Sequence, residues 1–150
     1  MRYIVWVLLF VGVVNAQDKV ALLIGNYNYQ KIEKLQNPSK DIDELGKVLE
    51  SIGFKVIKKY NLDSENMEET FYSFQNELNK YDNPISFVYY GGHGVQVDGN
   101  NYLIPINIDT RDRMDIKYHA TNLNEILDLV DDSHTKVNLL FLDACRNTPY

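Results

Sequence analysis

The chain has one cysteine, Cys145, in 150 residues, so no disulfide can close within it and the fold must stand on a packed core. Basic residues are in the minority: 15 Lys and Arg face 21 Asp and Glu, a formal charge of −6, which argues against nucleic acid as the main partner. No apolar run reaches the ~20 residues that a helix needs to cross a membrane, so no stable span is expected. Internal repeats and low-complexity linkers are also missing. Where a nucleotide-binding sheet would carry a glycine-rich phosphate loop, the chain has Gly25-Asn26-Tyr27-Asn28, which removes that reading. What remains, at 45% hydrophobic and 24% charged, suits one compact domain that buries roughly two-thirds of its unfolded surface.

Residues 1–16, MRYIVWVLLFVGVVNA, combine a basic Arg2, an apolar stretch from Tyr3 to Val14 and a small-residue site at Val14-Asn15-Ala16. That pattern reads as a secretory signal peptide cleaved after Ala16, which would make the protein secreted or extracytoplasmic. The alternative is an N-terminal membrane anchor.

From Lys19 the chain alternates strands and helices. KVALLIG, Lys19 to Gly25, is the first central strand, and Asn37-Pro38 then supplies an N-cap and a proline at the first helical position. Ile42, Leu45, Leu49 and Ile52 recur at helical spacing up to the stop at Gly53. Phe54 to Tyr60 alternates with lysines, as an edge strand does. Asn66-Met67-Glu68-Glu69 has the form of a capping box, followed by the apolar stripe Met67, Phe71, Phe74, Leu78. After Asn83-Pro84, ISFVYY forms a strand leading into a turn at Gly91-Gly92-His93-Gly94, and Asp98-Gly99 signals a hairpin beyond it. Ile108 to Ala120 reads as a solvated polar loop, since Arg111 and Arg113 interleave its carboxylates. Asn122 caps a helix bearing Leu123, Ile126, Leu127 and Val130, and KVNLLFLD is the last strand, buried like the one before His93.

The expected architecture is a three-layer α/β fold, a mostly parallel sheet of four strands with helices on both faces. Functional groups of such sheets gather at the carboxyl ends of the strands, which is where His93 and Cys145 fall. An imidazole can depress a thiol into the thiolate range, making the pair a nucleophile and its base.

YYGGHGVQ and FLDACRN resemble the histidine and cysteine motifs of the caspase-like cysteine peptidases. VALLIGNYNY with NPSKDIDEL is most similar to the metacaspase and paracaspase branch, and the likeness runs from Lys19 to Pro149. Caspases themselves carry Gln-Ala-Cys, with the histidine about 50 residues upstream; here Asp143 stands in place of the glutamine and Asn147 in place of the final glycine. The resemblance implies strand order 2-1-3-4 and cysteine-type endopeptidase activity. In it Cys145 attacks the scissile carbonyl, His93 protonates the leaving amine, and the backbone N–H groups of Gly94 and Cys145 form the oxyanion hole. Asp41 and Asp143 match acidic positions lining the primary specificity pocket, which implies protein or peptide substrates cleaved after Arg or Lys. No cofactor and no metal site are implied, although calcium dependence, found in many metacaspases, attaches to no residue here. Residues 17–150 are then expected to be a large-subunit domain without its small subunit, whose open sheet edge invites self-association. An inactive caspase-like scaffold or interaction module is the alternative function.

Overall fold

The computed structural model describes residues 18–147, with side chains as far as Ala144, so the leader read at residues 1–16 lies outside the described residues. Six strands run as β1 (Lys19–Gly25), β2 (Lys55–Tyr60), β3 (Ile85–Val97), β4 (Asn100–Leu103), β5 (Thr121–Asn122) and β6 (Val137–Asn147). Four helices, α1 (Pro38–Ser51), α2 (Ser64–Leu78), α3 (Arg113–His119) and α4 (Leu123–Asp131), connect them. β2, β1, β3 and β6 are parallel and adjacent in that order, which is the predicted 2-1-3-4. β4 and β5 continue antiparallel from the distal half of β3.

The three layers follow from the period of two along β1. Val20, Leu22 and Ile24 pack with Met67, Phe71, Phe74 and Leu78 of α2 and Ile126 and Val130 of α4. Ala21 and Leu23 face the other way, onto Ile42 and Leu49 of α1. All five β1 side chains are fully buried, as a central strand covered on both faces requires. Each large side chain sealed there contributes about 1.5–3 kcal/mol.

Helix α1 starts as expected, with Asn37 at the N-cap and Pro38 following, and the chain leaves it through Gly53 at φ +89°. Gly25 lets its first turn close on the sheet: a Cβ there would stand 3.0 Å from the Pro38 carbonyl oxygen and 3.2 Å from Ile42 Cδ1. Ile52, the C-cap residue of α1, and Leu127 share the apolar spacing of their helices yet remain exposed.

Four expectations are corrected. The capping box at Asn66 is not the start of α2: Asp63 caps it, its Oδ1 accepting from the Asn66 backbone N–H at 2.9 Å, so the helix begins three residues earlier at Ser64. The polar loop contains α3, capped by the Asp112 carboxylate, which accepts from the N–H groups of Met114 and Asp115. Its other carboxylates are occupied: Asp109 pairs with Arg111, and Asp115 accepts from the Asp109 N–H at 2.8 Å, while Arg113 and Lys117 reach Asp98 at the hairpin tip. The third correction is that Gly91-Gly92-His93-Gly94 is not a turn. β3 runs through it to Val97, because β6 keeps pairing with it as far as Asn147; the turn comes at Asp98-Gly99, both at positive φ. The fourth is that β6 is not a buried strand. Val137, Leu139, Phe141 and Leu142 are exposed, because among the described residues β6 has a sheet neighbour, β3, on one side alone.

The edge at β2 is tied to α2 by ions. Glu77, whose side chain is 11% exposed, takes Lys55 Nζ on Oε1 and Lys80 Nζ on Oε2, each at 2.7 Å. Hydrogen bonds from Lys55 first, then Lys80 and Tyr81, hold its carboxyl down at about 2. A depressed folded pKa means stability that is complete above the ordinary glutamate range and is lost as pH falls through it toward 2. Glu77→Gln should therefore cost about 1 kcal/mol near neutrality, the lysines being half exposed, and should flatten the loss of stability between pH 5 and about 2. Urea melts of both proteins across that range check this; parallel pH curves would contradict it.

Candidate active site

β3 and β6 carry the chemistry to one end of the sheet. In their parallel register His93 is paired with Cys145, Gly91 with Asp143, and Gly94 with Arg146. Neighbouring strands lie about 4.8 Å apart, so the backbones of His93 and Cys145 are as close as a sheet allows. The Cys145 side chain lies outside the described residues, and His93 is half-buried.

Three contacts define the imidazole. Its Nε2 lies 2.8 Å from the carbonyl oxygen of Glu33, in the connection between β1 and α1. A carbonyl can only accept, so Nε2 carries the proton and, in the neutral ring, Nδ1 keeps the lone pair. The Tyr29 ring packs against the imidazole with centroids 4.6 Å apart. Tyr29 Oη also accepts from the His93 backbone N–H at 2.7 Å.

Asp41 and Asp143 come from different elements, and the charges of both bear on one phenol. Asp41 sits in the first turn of α1, and Asp143 is exposed near the end of β6. Tyr89 donates from its hydroxyl to Asp143 Oδ2 at 3.3 Å. Burial, then the charges of Asp143 and Asp41, push the Tyr89 hydroxyl up to about 12, so it stays a donor at ordinary pH. Gly91 leaves room for this ring: a Cβ there would stand 3.3 Å from Tyr89 Cε1 and 3.4 Å from Pro38 Cβ. Tyr89 was not legible as a site residue, since ISFVYY reads as plain strand; its place two residues before Gly91 on the same strand face is the signal that was there.

Asn26 was also not legible as a site residue. It is fully buried, its Oδ1 accepting from Leu62 N at 2.8 Å and its Nδ2 donating to the carbonyls of Leu62 at 3.3 Å and Ile104 at 3.2 Å. Its own N–H donates to Gly91 O at 2.8 Å. One side chain thus joins the ends of β1, β2 and β4 beneath the His93 segment.

A cleft of about 800 Å³ lies between α2, α3 and α4, lined by Phe71, Tyr72, Tyr102, Tyr118 and Asp128 among others, and includes none of His93, Asp41 and Asp143. The chemistry, not the volume, marks the site. Among the described residues no three His, Cys, Asp or Glu side chains are grouped to hold a metal ion, and no helix is long and apolar enough to cross a membrane.

A parallel α/β sheet with a histidine and a cysteine in register on adjacent strands is the arrangement expected of a caspase-like domain. The chain belongs to the caspase family: the model of the caspase domain matches residues 18–149. It is 34% identical over 131 residues to human mucosa-associated lymphoid tissue lymphoma translocation protein 1, covering 87% of this chain and 15% of that protein. The mouse homologue gives the same figures, 34% over 131 residues. Zebrafish caspase a is 28% identical over 138 residues, 90% of this chain and 32% of that protein. The chain therefore spans less than a third of the length of each of these relatives. It is a caspase-family domain, in the metacaspase and paracaspase branch that its motifs resemble.

Proposed function

We propose that this domain serves a cysteine endopeptidase that cleaves after Arg or Lys. The observation that carries the reading is the pairing of His93 with Cys145 across β3 and β6. In the proposed cycle the Cys145 thiolate attacks the scissile carbonyl carbon, and His93, protonated at Nδ1, passes that proton to the leaving amine. Water then attacks the acyl-enzyme, returning a proton to His93 and releasing the acid. Backbone N–H groups of Gly94 and Cys145 stabilise the oxyanion, a device whose single donors are worth about 3 kcal/mol elsewhere. The Glu33 carbonyl supports the assignment by fixing which ring nitrogen is free.

For specificity the support is that Asp143 accepts from the Tyr89 hydroxyl at 3.3 Å, and that the charge of Asp41 also reaches that hydroxyl. Two carboxylates at one pocket favour a planar guanidinium, which takes bidentate bonds, over an acidic or neutral side chain. In the full-length gene product, Asp143→Gln should reduce the kcat/KM preference for arginyl over neutral peptides by about tenfold or more, consistent with a charge-assisted bond of about 1.5–3 kcal/mol. Because Asp143 is exposed, thermal stability should change little. An undiminished preference, or efficient cleavage after Asp, would refute the pocket. Export through the residue 1–16 leader belongs to the same proposal, and sequencing the N-terminus of the mature protein tests it.

A second reading, an interaction module of the same fold, is favoured by β6: Val137, Leu139 and Phe141 are 42%, 38% and 49% exposed along one face of an edge strand. Self-association through that edge would show as concentration-dependent sedimentation. Peptidase activity with a functional Cys145 separates the two readings.

A further inference from the structure

We infer that Tyr29 and Tyr90 are positioning residues for His93, two buried phenols that grip its backbone N–H and C=O and thereby fix where the imidazole stands. The inference rests on the proposed dyad and goes beyond it by naming what holds one partner in place. Tyr29 and Tyr90 are 1% and 0% exposed. The His93 N–H donates to Tyr29 Oη at 2.7 Å, and the His93 carbonyl accepts from the Tyr90 hydroxyl at 2.9 Å. The two phenol oxygens are 3.3 Å apart, and each lies within reach of the Ile104 carbonyl, at 3.3 Å for Tyr29 and 3.0 Å for Tyr90.

Proton accounting shows the cluster to be closed. Each hydroxyl has one proton. Tyr29 Oη accepts from the His93 N–H and sends its own proton to Ile104 O or Tyr90 Oη; that of Tyr90 goes to His93 O, Ile104 O or Tyr29 Oη, and His93 O also accepts from the Ile104 N–H at 3.0 Å. Every choice uses the same heavy-atom positions. Burial raises the pKa of both phenols, so neither ionises at ordinary pH and the grip is constant there.

Gly92 makes the arrangement possible. A Cβ at that position would stand 2.5 Å from Tyr90 Oη and 2.7 Å from Tyr29 Oη, so any side chain would displace the phenols. The connection that supplies Tyr29 also supplies the Glu33 carbonyl on Nε2, and the Tyr29 ring lies against the imidazole. The backbone N–H, ring face and ring edge of His93 are therefore held from one loop, and its carbonyl from β3 itself. A histidine fixed at these points has little freedom to leave the register position opposite Cys145, and a misplacement of about 1 Å can cost a catalytic pair about a hundredfold.

Cys145 is the sole cysteine, so alkylation with iodoacetamide reports on it alone. The rate is measured against pH for the wild type, His93→Ala, Tyr29→Phe and Tyr90→Phe, with circular dichroism and melting temperature recorded for each. Phe74→Leu, a destabilising change in the core beneath α2, is the control. Tyr29→Phe keeps the ring and removes the acceptor; its profile should move toward that of His93→Ala, with alkylation near neutral pH slowed about tenfold, whereas Phe74→Leu keeps the wild-type profile. Tyr90→Phe, which leaves the His93 N–H satisfied, should shift the same way by less, and it decides the matter if Tyr29→Phe does not fold. If His93→Ala shifts the profile and the folded tyrosine variants do not, the phenols are structural only and the inference is overturned. If His93→Ala itself changes nothing, the dyad reading falls and takes the inference with it.

Discussion

In the full-length gene product, His93→Ala is expected to lower kcat for arginyl peptides by between about a hundred- and ten-thousand-fold, the range that a positioned acid and base contributes. KM should change little. The reason for that split is geometric: the groups proposed to hold the substrate side chain, Asp41 and Asp143, are reached from α1 and β6, and His93 takes no part in the bond between Asp143 and Tyr89. The ring does its work on protons, taking one at Nδ1 while Nε2 is held by the Glu33 carbonyl at 2.8 Å. Cys145→Ala should abolish turnover altogether. Steady-state assays with fluorogenic arginyl and lysyl peptides measure both, and a His93→Ala enzyme that retained wild-type kcat would show that the proton passes by another route.

Some local signals in this sequence carry their message within one segment. The stripe Met67, Phe71, Phe74, Leu78 is buried as its spacing demanded, and Asp98-Gly99 makes the hairpin turn. The parallel order β2-β1-β3-β6 was legible through the resemblance and the handedness of crossovers. Short polar elements were not. α3 buries Ile116 alone, so it has no apolar stripe to betray a period, and the Asp112 cap was hidden among neighbouring carboxylates. At α2, Asp63 and Asn66 are both plausible caps by composition, and the choice depends on which residue leaves the helical φ and ψ.

The site shows the same division. His93 and Cys145 stood out because each is a reactive side chain set among small residues at the end of an apolar run. Their supports did not, because each acts across the fold: Tyr29 over a separation of 64 residues, Tyr89 over 54 to Asp143, and Asn26 over 78 to Ile104. Glycines read as a turn proved to be strand for a related reason. Gly92 is small because two phenols from elsewhere fill the space its side chain would need, which is a fact about packing and not about local backbone preference.

Asn26→Ala should be among the most destabilising single changes near the site, about 2–4 kcal/mol, a large share of what a domain of this size has to spare. The loss is asymmetric. Ile104 O keeps donors in Tyr29 and Tyr90, and so suffers little. The Leu62 N–H, bonded at 2.8 Å to Asn26 Oδ1, is left buried without that acceptor, and an orphaned donor costs about 1–3 kcal/mol. The vacated volume beside Met67 Sδ, which lies 3.9 Å from Asn26 Nδ2, adds a cavity term. Asn26→Asp distinguishes the two halves of the amide: it keeps the acceptor for Leu62 N but turns an anion toward the carbonyls of Leu62 and Ile104, so it should be no better tolerated than alanine near neutral pH and should recover as pH falls and the carboxyl is protonated. Urea melts of the three proteins at neutral and mildly acidic pH measure this. An Asn26→Ala protein within 0.5 kcal/mol of wild type, a figure typical of surface changes, would mean that water takes over the bonds and that the loop holding His93 does not depend on this amide.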